Sequence, residues 1–114
     1  MKKNYSLFVE HMIESIERIE EFMKNAGEVD FEKNLQLQDA VVRRLEIIGE
    51  AAKNLPSDFK NKYPDISWKE IIGTRDKIIH HYFGVDLSIV WDIIKNELPD
   101  LKKKLEKIEN KLDD

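Results

Sequence analysis

Cysteine is absent from this 114-residue chain, which excludes a disulfide framework and any thiolate-ligated metal, and fits a reducing compartment. Glycine and proline are scarce, at four and three residues. A chain with so few turn formers and with 37% charged residues has the composition of a globular helical protein, because helices carry charge on their exposed faces and need few turns. No strand pattern, internal repeat or low-complexity tract is present. Long apolar runs are missing as well. Glu10 and Glu14 interrupt the chain soon after the opening Met-Lys-Lys, so neither a signal-peptide core nor a membrane span is expected, and the protein reads as soluble and cytoplasmic. Nor is there an excess of positive charge. With 23 acidic and 19 basic side chains, a net charge of −4 disfavours wholesale adsorption to nucleic acid, so any RNA or DNA binding must use a local basic patch.

What the chain does have is apolar residues, 41% of the total, enough for one modest core and hence one domain over 1–114. Their spacing predicts an up-and-down bundle of about five helices, an all-α fold. Val9, Met12, Ile13, Ile16, Ile19 and Met23 mark one face of a first helix over 5–25, ended by Gly27. Asp30 is placed to N-cap a second helix striped by Leu37, Val41, Leu45, Ile48, Ala52 and Leu55 and stopped by Pro56, in which Gly49, Ala51 and Ala52 allow close helix approach. After a connector over 57–63, the run Ser67-Trp68-Lys69-Glu70 reads as a capping box opening a third helix, with Trp68, Ile71, Ile72, Ile78, Ile79 and Tyr82 on its buried arc. Gly84 would end that helix and Asp86 cap a fourth, carrying Leu87, Val90, Trp91, Ile94 and Leu98; Pro99 breaks or kinks it. Leu101, Leu105, Ile108 and Leu112 stripe a fifth.

The chemistry concentrates in the third helix, where Arg75, Asp76, His80, His81 and Tyr82 lie within eight residues. Arg75, seven residues from both Trp68 and Tyr82, falls within the apolar arc of a regular helix, where a charge must snorkel, meet a carboxylate or face a cleft. Asp76 and His80, four apart, share another face, so the carboxylate can hold the imidazole and fix its tautomer. Arg75 and His80 point roughly 140 degrees apart on a regular helix. One helix therefore cannot bring both to one reacting group unless its end distorts or a second chain contributes, which suggests a site shared across a homodimer. His80 and His81 project to different sides with no third histidine or thiolate nearby, so no metal site is expected. Arg44 also lies toward an apolar arc, as a snorkelling residue or an RNA phosphate contact. Tyr82 on its own reads as an amphipathic core residue whose hydroxyl reaches the surface.

Arg75, His80 and Tyr82 reproduce the Arg-x4-His-x-Tyr motif, and with segments 38–52 and 68–101 they make the chain resemble the HepT-like toxins of the HEPN superfamily over about nine tenths of its length. That resemblance implies a dimeric helical fold and a metal-independent endoribonuclease, the toxin of a toxin-antitoxin pair, with no cofactor. Its implied partner is a minimal nucleotidyltransferase antitoxin that silences the toxin by transferring AMP to the motif tyrosine. Arg75 and His80 would be catalytic, Asp76 the supporting polar residue, Tyr82 the modified position, and Arg44 and His81 possible RNA contacts. Asn is common where Asp76 stands; an acid there should hold His80 more strongly and repel phosphate slightly. The competing expectation is a catalytically silent helical dimer that serves as binding partner or substrate of a nucleotidyltransferase.

Overall fold

The computed structural model describes residues 2–79 and 84–113, with side chains over 5–79 and 84–112. The fold is all-α: among the described residues the backbone is helical apart from its connections and one isolated antiparallel bridge, Ile79 to Val85. The first stripe behaves as its spacing requires. Val9, Met12, Ile13, Ile16, Ile19 and Met23 are all buried along α1 (Lys2–Phe22) and the turn after it, and α1 packs along α3 and α8.

The second helix is divided. A short α2 (Glu28–Lys33) precedes α3 (Leu35–Asn54), and Asn34 serves both, closing α2 and accepting the Leu37 N–H on its Oδ1 at 3.0 Å as the N-cap of α3. Asp30 is therefore not the cap of the long helix. It sits inside α2, its Oδ2 accepting the Gly27 N–H at 2.9 Å, while the Gln38 side chain donates to the Phe31 and Glu32 carbonyls at 2.9 and 3.1 Å. Phe31, absent from every stripe, anchors α2 and is fully buried. Along α3, Val41, Leu45, Ile48 and Ala52 are buried, as is Leu55 just beyond it. The connector forms a turn of helix, α4 (Ser57–Asn61).

The third helix is divided too. α5 (Trp68–Ile72) and α6 (Thr74–Ile78) meet at Gly73, whose φ of −85° and ψ of 3° are not helical. The expected capping box does not form, since the Ser67 side chain makes no cap hydrogen bond; α5 is seated instead by Trp68, whose Nε1 donates to the Lys60 and Tyr63 carbonyls at 3.1 Å. α6 ends at Ile78, before the position expected for Gly84, because Ile79 turns extended and pairs with Val85 while the Asp86 N–H donates to the Ile78 carbonyl at 2.6 Å. Gly84 supports this reversal with a φ of +87°, a conformation that L side chains rarely adopt. Asp86 does cap, accepting the Ile89 N–H at 3.2 Å.

The fourth and fifth helices run together. α7 (Leu87–Asp92) passes through a π-helical turn, Ile93–Glu97, into α8 (Leu98–Asp113). The Leu98 N–H bonds the Ile93 carbonyl five residues back. That widened turn accommodates Pro99, which lacks an N–H and whose ring would press on the carbonyl four residues earlier in a regular helix. Pro99 thus reshapes the helix without ending it. Leu101, Leu105 and Ile108 are buried, and Lys102 ties α8 to α1 through Glu20 at 2.9 Å and Glu17 at 3.8 Å. The Glu20 hydrogen bond holds the Lys102 pKa above its ordinary value. This contribution to stability is present below the unfolded lysine pKa and is lost as pH rises through the raised one. No described helix is long and apolar enough to cross a membrane.

Gly49 lets α3 approach α5: a Cβ there would sit 3.2 Å from the Ile71 carbonyl oxygen. Gly49→Val is expected to lower stability by about 1–3 kcal/mol, because its branched methyls would press on backbone that cannot turn aside. Urea denaturation measures this, and an unchanged midpoint would mean the contact yields freely.

Candidate functional site

Because α3 and α5 meet closely at Gly49 while α6 turns off at Gly73, an open groove of about 490 Å³ lies between α3 and the α5–α6 joint. From α3 it is lined by Arg43, Glu46, Glu50 and Lys53, and from the far side by Arg75 and Asp76, over a floor that includes Leu45, Ile71 and Ile72. Three cationic groups and three carboxylates therefore line it, two of each sign on α3 and one of each on α6, over a partly apolar floor.

Arg75 does not occupy the apolar arc that a continuous helix would give it. The break at Gly73 resets the helical phase, so Ile78 is buried while the Arg75 side chain is 67% exposed. Its Nε donates to Glu46 Oε2 at 2.8 Å. Among the described residues its two terminal nitrogens have no partner, and they form the edge able to grip a phosphate bidentately. Asp76 is exposed beside it. His80, His81 and Tyr82 lie outside the described residues, so the Asp76–His80 pairing and the position of Tyr82 do too. The helix does end before His80, at Ile78. The 140-degree separation of a regular helix consequently does not apply, and a two-chain site no longer follows from helix geometry. Arg44 is half-buried and is not among the groove residues, whereas its neighbour Arg43 is.

A second cavity, of about 210 Å³, lies between α3, α5 and the π-helical turn. Its polar rim carries Asp65, Glu70, Glu97 and Asp100 against Lys104, which already bonds the Asp65 carbonyl at 2.7 Å and Asp100 at 3.0 Å. Such a rim repels anions. The Arg75 groove is the better phosphate site of the two.

A family model described as ribonuclease HepT-like matches residues 12–108. The chain belongs to this HepT-like family. It is 47% identical over 108 residues to a protein of Thermococcus cleftensis named "Probable ribonuclease HepT", covering 95% of this chain and 98% of that one. A Methanocaldococcus jannaschii protein named "Gamma-glutamylcyclotransferase and putative RNase" is 50% identical over 113 residues, 99% of this chain; the chain spans only 51% of that relative's length. A third, named "Putative RNase", from Caldanaerobacter subterraneus, is 46% identical over 101 residues, 89% of this chain and 90% of its own. No solved structure gives a significant match.

Sequence reasoning did not find Glu46, which in this HepT-like chain is the direct partner of Arg75. The two are 29 residues apart on different helices, and no local spacing links them. Glu46 does stand one residue from Leu45, on the flank of the α3 stripe, but that marks it only as a residue at the edge of the core.

Proposed function

We propose that this chain is a metal-independent endoribonuclease in which Arg75 and His80 are catalytic and Asp76 supports His80. The observation that carries the reading is the Arg75 guanidinium, exposed on a groove with its terminal nitrogens unengaged by described residues, in a family whose members are named as ribonucleases. RNA breaks when its own 2′-hydroxyl attacks the adjacent phosphorus, expelling the 5′-oxygen and leaving a 2′,3′-cyclic phosphate. That step needs a base for the hydroxyl proton, a cation for the charge on the phosphorane and an acid for the departing oxygen. His80 supplies the base or the acid near neutral pH. Arg75, through its guanidinium, supplies the cation. DNA, lacking the 2′-hydroxyl, would resist.

The resemblance to HepT-like toxins supports the wider role: a cytoplasmic toxin acting as a homodimer, with a nucleotidyltransferase-type antitoxin that transfers AMP to Tyr82. In such a dimer one His80 serves as base and its mate as acid. AMP on Tyr82 would add a negative charge and an adenosine to the motif that also carries Arg75, opposing RNA both electrostatically and sterically. Arg44 and His81 are further candidates for RNA contact.

The test incubates the purified chain, shown by mass spectrometry to be unmodified at Tyr82, with total cellular RNA in EDTA beside His80→Ala. Defined cuts by the parent alone, ending in cyclic phosphate, are expected, with His80→Ala slower by about 10²–10⁴-fold. Cleavage abolished by EDTA and restored by a divalent cation would overturn the metal-free mechanism. A folded, unmodified parent that makes no cuts would favour the silent binding module.

A further inference from the structure

We infer that Glu46 is a positioning residue for catalysis, a carboxylate on α3 that holds the Arg75 guanidinium by its Nε and presents the opposite edge to the scissile phosphate. This inference rests on the ribonuclease reading. Arginine has five N–H donors: one on Nε and four on the terminal nitrogens. Glu46 Oε2 takes the first at 2.8 Å, and among the described residues nothing takes the rest. A phosphate can therefore bind through the outward edge without displacing Glu46.

Three observations separate this from an incidental surface pair. The side chains are unequal, Arg75 67% and Glu46 27% exposed, so the more buried carboxylate holds the more exposed guanidinium. The pair also spans the groove, joining α3 to α6 across 29 residues. The helix that carries Glu46 is fixed by the Gly49 contact with α5, so the anchor stands on packed backbone. Without it, Arg75 is a long exposed side chain that must lose its rotational freedom on binding the transition state. Glu50 and Asp76, the groove's other carboxylates, form no ion pair with Arg75 among the described residues, so neither provides a substitute anchor. A nearby negative charge does oppose RNA binding. The arrangement therefore trades some affinity for orientation, and this gives it a kinetic signature distinct from that of a structural contact.

The experiment measures single-turnover cleavage of a defined RNA against RNA concentration for the parent and for Glu46→Ala, Glu46→Asp, Glu46→Gln, Arg75→Ala and the Glu46→Ala/Arg75→Ala double variant, each checked by thermal melting. Glu46→Ala is expected to lower the saturating rate by about tenfold or more, since misplacing a catalytic group is costly. Glu46→Asp, which keeps the charge but shortens the reach, should fall similarly. Glu46→Gln keeps an acceptor for Nε without the charge, and should restore most of the rate with half-saturation at lower RNA concentration. In the Arg75→Ala background, Glu46→Ala should have no further effect on the rate, because the two act as one unit.

An inactive, folded parent would defeat the ribonuclease reading itself. An active parent with a crippled Arg75→Ala but a fully active Glu46→Ala would overturn only the role of Glu46. Equal losses in Glu46→Gln and Glu46→Ala, persisting in the Arg75→Ala background, would assign Glu46 a function independent of Arg75 and also overturn it.

Discussion

Arg75→Ala is expected to slow RNA cleavage by about 10²–10³-fold, the usual consequence of removing one preorganised donor to transition-state charge, while leaving the folded state almost unchanged. The two halves of this expectation come from the same observation. Arg75 is largely exposed and its ion pair with Glu46 lies at the surface, where such pairs contribute about 0–1 kcal/mol. A guanidinium in the apolar arc would have coupled activity to stability, because its removal would strand a buried partner. Arg75→Lys should recover only part of the rate, since an ammonium keeps the charge without the planar fork. Initial cleavage rates paired with urea melts decide the matter. Substantial unfolding of Arg75→Ala would make the arginine structural and remove it from the proposed mechanism.

Phe31→Ala should produce the largest loss of stability, about 3–5 kcal/mol by the usual cost of emptying a buried aromatic site. Phe31 is fully buried and its ring lies 6.1 Å from that of Trp91, so it joins the six-residue helix α2 to α7. So short a helix has little stability of its own. Its removal from the core should therefore loosen α2 and the start of α3 together. Denaturant unfolding gives the magnitude, and hydrogen exchange locates it; faster exchange confined to α2, with the global midpoint unmoved, would show α2 to be an appendage instead of part of the cooperative unit.

These two residues also mark how far the sequence could be read. Arg75 was legible as a candidate functional residue because its spacing to His80 and Tyr82 is a motif, independent of how the helix packs. Its environment was not legible. The apolar spacing from Trp68 to Ile79 looks continuous, yet Gly73 breaks the helix and resets its phase, turning toward solvent a side chain that a regular helix would direct inward. Phe31 escaped because α2 is too short for helical periodicity to emerge. The division at Asn34 and the joining of α7 to α8 escaped for a related reason: capping residues and proline reveal where a helix is stressed, whereas packing decides whether it breaks, tightens or widens there.

The sequence by itself determined the helical class, the faces of α1, α3 and α8 that make the core, and membership of the HepT-like family. Apolar periodicity reports burial directly along an unbroken helix, and a motif with its flanking segments is a property of chain order. Only the tertiary structure decided that Arg75 stands outward on a groove, that Glu46 meets it from 29 residues away, and that a π-helical turn carries the chain through Pro99. Each of these depends on how separate elements meet, and a contact between helices is set by their relative placement, which local spacing does not encode.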